Sequence, residues 1–176
     1  ASLRGKFVAG DPARVRRLSL SVTYRGGVVV TLNGREVARM HLPAGPIRHD
    51  TLAESYPAEA FVTEKGGYLG ERGVYLNGRP ERTISAESQR RLGLRDRTLK
   101  DVAIPAKLLR KGVNVLAVQI VRAPYNPAMD KVSRKSRGQY EHEFTWDTCE
   151  LRRIRLTADG GEGLLSGAVC PPGLQV

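Results

Sequence analysis

Residues 26–42 read GGVVVTLNGREVARMHL, and this stretch decides the fold. Val28, Val30 and Leu32 alternate with Val29 and Thr31, the period of a strand with one face buried. Asn33-Gly34 follows at once, and both residue types accept the positive φ that a two-residue hairpin turn demands. Beyond the turn, Glu36, Ala38, Met40 and Leu42 share one face, with Arg35, Val37, Arg39 and His41 on the other. The pattern predicts a β-hairpin that nucleates an antiparallel sheet.

Working outward, Arg16 to Tyr24 reads RRLSLSVTY, an amphipathic strand with Leu18, Leu20, Val22 and Tyr24 on its apolar face. Arg25-Gly26-Gly27 is expected to fold this strand back beside the hairpin as a three-stranded meander. Val113 to Arg122, VNVLAVQIVR, is apolar on both faces and reads as a central strand covered on both sides. Phe144 to Leu156 is the expected closing strand, with Ile154 and Leu156 inward and a β-bulge near Arg152. Between these parts, residues 43–98 are punctuated by proline and glycine and read as a long loop insertion. Within it a second hairpin is expected at Asn77-Gly78, and a short helix over Ser85 to Leu94. Short strands, tight turns and little helix give an all-β antiparallel sandwich over residues 1–157, with 158–176 as a linker or tail.

A chain of 176 residues buries about two-thirds of its unfolded surface, so a core needs neither metal nor disulfide. It holds no apolar run near the length of a membrane span, so no membrane partner is expected. The first residues, ASLRGKFVAG, lack the apolar segment of a signal peptide. The last, PPGLQV, complete no element, and both ends are expected to be cuts from a longer polypeptide. The net charge of +11 permits acidic glycans, nucleic acid or anionic surfaces as partners. The basic residues are scattered in short pairs, however, and Arg outnumbers Lys 22 to 7, which a coding bias explains without a ligand. Nucleic acid is therefore not the expected partner. Cys149 and Cys170 fit two readings equally, a disulfide from the last strand to the tail or two small unpaired residues.

The hairpin motif V-x-L-N-G-x-E-V-A-R, within Gly27 to Arg39, is followed by D-V-x-I-P-x-x-L-L-x-x-G-x-N-x-L-A-V-x-I, from Asp101 to Ile120. Together with a final strand over Trp146 to Thr157, these motifs resemble the galactose-binding-like jelly-roll domains attached to β-galactosidase- and β-glucuronidase-type glycoside hydrolases and to other large secreted proteins. The resemblance covers about half the chain and leaves Pro43 to Thr98 without a counterpart. It implies a jelly-roll sandwich, an extracellular or periplasmic location, and other domains of the same parent chain as partners. It further implies a carbohydrate-binding or carbohydrate-associated role without catalysis. No cofactor is required, but related sandwiches carry a structural calcium, for which Asp11 and Asp147 are the expected ligands.

Catalytic signatures were sought in the residues themselves. The chain has no G-x-S-x-G elbow, P-loop, G-x-G-x-x-G or C-x-x-C. His41, His49 and His142 read as surface residues, and no carboxylate pair stands out for glycoside hydrolysis, so no enzyme is expected. Sugar recognition asks instead for an aromatic ring against a pyranose face with polar groups at its hydroxyls. Tyr125-Asn126, after the central strand, and Tyr68 in the insertion are the foremost candidates, followed by Tyr75 and Tyr140. Trp146 reads as core or rim. Two alternatives remain. One is a structural or protein-interaction module without a small ligand. The other is a polyanion binder using Arg134, Lys135, Arg137 and the outward-facing Arg153 and Arg155.

Overall fold

A computed structural model describes residues 1–67, 69–70, 73–76, 79–80, 84–129, 146–160 and 165–166, with only the backbone path for 73–76, 79–80 and 166. In chain order the strands are β1 (Ser2–Ala9), β2 (Arg17–Arg25), β3 (Gly27–Leu32), β4 (Arg35–Met40), β5 (Leu69–Gly70), β6 (Gly73–Leu76) and β7 (Arg79–Pro80). After the helix α1 (Ala86–Gly93) come β8 (Arg97–Ile104), β9 (Gly112–Val121), β10 (Glu150–Asp159) and β11 (Leu165–Ser166). One sheet has the order β11-β1-β9-β3-β4 and the other β10-β2-β8, with a ribbon of β5-β6-β7 beside them. All pairings are antiparallel.

The hairpin forms as its residues dictate. Asn33 (φ 52) and Gly34 (φ 81) are both left-handed, which joins β3 to β4 through two residues. Val28, Val30 and Leu32 are fully buried, facing Leu18, Leu20, Val22 and Tyr24 from the second sheet and Val118 and Ile120 from β9. Side chains of both sheets therefore share one core, which makes the fold an all-β sandwich. The bulge expected near Arg152 is present, as the register with β2 slips between Leu151 and Arg153. The helix is present too, with the Ser85 hydroxyl accepting from Ser88 N at 3.1 Å. β6 and β7 pair on either side of residues 77–78 as a second hairpin should, Tyr75 opposite Pro80.

Four expectations need correction. β2, β3 and β4 are no meander, because β2 and β3 belong to different sheets. A single residue, Gly26 (φ 93), separates them, and a one-residue link cannot close a hairpin. It turns a corner so tight that a Cβ would lie 2.2 Å from Val121 O and 2.6 Å from Thr148 O. Secondly, β9 is central in its sheet but its second face is covered only at the loop end: Val121 is buried there, whereas Val113 is 59 % exposed and Val115 and Ala117 are only partly covered. Thirdly, the closing strand starts at Glu150, because Trp146 to Thr148 serve the loop end described below; Leu156 packs on the core, while Ile154, on an edge strand, is 36 % exposed. Finally, residues 158–176 are not purely a tail. Ala158 and Asp159 belong to β10, and Leu165 and Ser166 extend the larger sheet opposite Ala9 and Val8.

Candidate functional site at the loop end

The 43–98 insertion and the loop after β9 meet where β3 begins, at the end of the sandwich marked by Gly26. Ala53 N bonds to Arg122 O (2.9 Å) and Glu54 N to His41 O (3.0 Å), which lays residues 53–54 across the ends of β9 and β4. The chain then makes a 3-10 turn (Ala58–Ala60), from which Phe61 receives Leu69 N on its carbonyl at 3.0 Å. Here Ala53, Tyr56, Ala60, Phe61, Ala123 and Trp146 form a second buried cluster, separate from the sandwich core. Trp146 stands edge-on to Tyr56 (4.9 Å between centroids) and 5.0 Å from Phe61.

Arginines complete this cluster. Arg95 is 1 % exposed, lies 4.8 Å over the Trp146 ring, and donates to the carbonyls of Ala60 (2.9 Å), Leu69 (2.5 Å) and Gly70 (2.7 Å). Arg97 stacks 3.9 Å over Tyr56 and donates to the carbonyls of Gly26, Glu54 and Ser55. Arg25, also buried, bridges Asp96 (3.0 Å) and Glu150 (3.2 Å) and sits 5.6 Å from the Trp146 ring. The Tyr56 hydroxyl accepts from Gly26 N (2.8 Å) and donates to Arg95 O (3.0 Å), and burial raises its pKa. These residues carry structure: the guanidinium groups and the Tyr56 hydroxyl meet backbone atoms or charges inside the molecule, while Trp146 Nε1 is buried without a hydrogen-bond partner among the described residues.

Beside them, Tyr24 and His41 form a polar pair. Burial raises the Tyr24 pKa, so the hydroxyl stays protonated. It lies 2.8 Å from His41 Nδ1, and burial followed by the nearby Arg97 charge lowers the His41 pKa. Tyr24 therefore donates to a neutral imidazole. His41, expected at the surface, is instead half-buried with a left-handed backbone (φ 55), while His49 is exposed and His142 lies outside the described residues.

Of the expected sugar-site residues, Tyr125 and Asn126 stand together on this end of the sandwich. Tyr125 is 49 % exposed; its hydroxyl donates to Trp146 O (3.1 Å) and its ring packs edge-on to Phe61 (6.1 Å). Asn126 holds the loop in place: Nδ2 donates to Tyr56 O (3.2 Å) and Oδ1 accepts from Ala128 N (3.0 Å). Tyr75 has its backbone in the β5-β6-β7 ribbon, and Tyr68 and Tyr140 lie outside the described residues. Of the polyanion set, Arg153 and Arg155 share the outer face of β10 opposite Thr23 and Ser21, and both are exposed; Arg134, Lys135 and Arg137 lie outside the described residues.

The calcium pair is separated. The Ala1 amine touches Ile120 O and approaches Cys149 Sγ, which puts Asp147 near the start of β1 and Asp11 beyond its far end. The eight residues of β1 between them span about 26 Å, so the two carboxylates cannot share an ion. Each instead caps its own turn, Asp11 accepting from Ala13 N and Asp147 from Cys149 N. No group of three His, Cys, Asp or Glu suited to a metal occurs among the described residues. Cys149 is a free thiol, and its possible partner Cys170 lies outside the described residues.

Sequence reasoning missed Arg25, Arg95 and Arg97. The only local signal was R-D-R at 95–97 beside the start of a strand, which reads as exposed charge until the aromatic partners are known. No helix among the described residues is long and apolar enough to cross a membrane. Compared with known proteins, the chain matches no family model, no curated protein and no solved structure.

Proposed function

We propose that this chain is a non-catalytic carbohydrate-binding module of the galactose-binding-like jelly-roll kind, belonging to a larger extracellular or periplasmic protein, and that its ligand meets the loop end at Tyr125. The observation that carries this reading is the Tyr125 ring, half exposed yet immobilised through its hydroxyl on Trp146 O and its edge on Phe61. A ring fixed in this way loses little conformational freedom when a pyranose lies against it. The hairpin and Asp101–Ile120 motifs support the reading from the sequence side.

One observation favours a second reading, a structural module that orders its neighbours. Trp146, Tyr56 and Phe61 are all buried as scaffold, so the loop end stabilises itself before it offers anything to a ligand.

Titration of neutral oligosaccharides, led by a glycan-array screen, separates the two. The carbohydrate reading expects a salt-insensitive hit that weakens about tenfold or more in Tyr125→Ala. Tyr125→Phe, which keeps the ring but loses the hydroxyl tether, is expected to retain part of it. Silence across the array, or affinity unchanged in a folded Tyr125→Ala, favours the structural module.

A further inference from the structure

The opposite end of the sandwich holds an open hollow of about 360 Å³, lined by Leu32, Asn33, Arg35, Lys107, Leu108 and Arg110. That volume lies in the range of small-ligand clefts. Its base is rigid. Asn33 Nδ2 donates to Leu108 O (2.9 Å) and Asn114 Oδ1 (2.8 Å), while Asn33 Oδ1 accepts from Val115 N (3.0 Å). Asn114, fully buried, accepts from Arg110 N and donates to the carbonyls of Arg110 and Gly112. The hairpin turn and residues 108–115 are thus joined by side-chain amides, which sets where Arg35, Lys107 and Arg110 leave the backbone.

Those three side chains are exposed, and among the described residues none has a carboxylate within ion-pair distance. Arg39, Arg90, Arg91 and Arg152 are tied down by Glu36, Glu87, Glu150 and Asp96; Arg35, Lys107 and Arg110 are set apart from the remaining exposed cations by lining one hollow. Three unneutralised cations converging on one fixed hollow repel one another and attract an anion. Two of them are guanidinium forks that match a tetrahedral oxyanion.

We propose that this hollow binds a sulfate ester of an acidic oligosaccharide, with the sugar body against the partly exposed Leu108. A single-stranded nucleic acid fits less well, because among the described residues no aromatic ring lines the hollow for a base to stack on. The site is independent of Tyr125. β3 runs from the loop end at Gly27 to the hollow at Leu32, placing the two about 20 Å apart.

The test is calorimetric titration of the full chain with three probes: a highly sulfated hexasaccharide, the same saccharide stripped of sulfate, and a short oligothymidylate. The proposal expects the sulfated probe alone to bind at physiological salt. Arg35→Ala/Arg110→Ala should weaken it at least tenfold and flatten its salt dependence by roughly two charges. Arg48→Ala/Lys65→Ala, which removes the same charge from exposed positions of the 43–98 insertion, should leave affinity within about twofold. Unchanged melting of both double variants confirms that they fold. Equal losses in the two variants would mean diffuse attraction to a basic protein and would overturn the site. Tighter binding of the oligothymidylate, or equal binding of the desulfated sugar, would overturn the ligand. The neutral-sugar result at Tyr125 bears on neither outcome.

Discussion

In the sandwich core, Leu18, Leu20 and Val22 face Val28, Val30 and Ile120, and the interior is made of aliphatic side chains with Tyr24 at its margin. At the loop end, Trp146, Tyr56 and Phe61 pack with the guanidinium groups of Arg95, Arg25 and Arg97. The contrast follows from the backbone each region must bury. Strands satisfy one another's peptide groups through the ladder, so their side chains can be wholly apolar. The largely irregular chain from Ala53 to Gly67 and the two-residue strand β5 have little such ladder, and their buried carbonyls need further donors. Arginine carries five donors on a plane whose face also rests on an aromatic ring. Arg95 alone serves three carbonyls in this way, and Arg97 three more. The second core is thus one in which cations replace a sheet.

Gly26 is the joint between the two regions, and breaking it gives the largest expected effect. Gly26→Ala forces a left-handed φ on a residue with a side chain and drives its Cβ into the carbonyls of Val121 and Thr148. Both atoms are backbone and cannot rotate away. The expected loss exceeds about 3 kcal/mol, read as a lower urea midpoint by circular dichroism. A midpoint shifted by less than about 1 kcal/mol would show that the corner is not needed to hold the two sheets and the loop end together.

Arg95→Met sharpens the comparison further, because it keeps volume while removing the donors. Ala60, Leu69 and Gly70 then lose a buried hydrogen-bond partner each, at an expected total of about 3–4 kcal/mol. Trp146 is the only tryptophan and lies inside the second core, so its fluorescence reports that region alone. If the two cores are distinct units, fluorescence of the variant should change at lower urea than the far-ultraviolet signal of the sandwich. Coincident transitions would show one cooperative unit and dissolve the distinction drawn above.

The same contrast explains what could be read from the chain beforehand. The hairpin, the strand at Arg17–Arg25, the bulge at Leu151/Arg153 and the Ser85 cap each depend on residues close in sequence, and each was legible. The sheet to which a strand belongs was not, since an Arg-Gly-Gly turn fits both a hairpin and a corner. The loop end was least legible. Its contacts join Arg25 to Asp96 and Glu150, and Tyr56 to Trp146, across long separations that leave no periodic trace. That Tyr125-Asn126 lies in a loop was legible because a strand visibly ended before it. Arg35, Lys107 and Arg110 escaped notice as a group because the Asn33–Asn114 amide pair that gathers them only exists once the hairpin has docked.

The smallest expected effect concerns the Tyr24–His41 pair at the margin between the regions. Burial and Arg97 hold the folded His41 pKa below its ordinary value of 6.5. The unfolded chain therefore binds more protons through this window, so stability is full above about pH 6.5 and falls as the pH drops toward the folded value. Carboxylates act lower down. Hydrogen bonds from Arg90 and Arg91 bring the Glu87 pKa to about 2, and Arg39 and Arg90 likewise lower Glu36 and Glu59, so their contribution is lost only below about pH 4.5. The melting temperature should thus decline by at most a few degrees between about pH 7 and pH 5, ahead of the larger acid transition. His41→Asn removes the titrating group and tolerates the left-handed backbone, so it should flatten that first decline. An identical slope in the variant would assign the decline to another group and leave the buried imidazole without a role in the acid response.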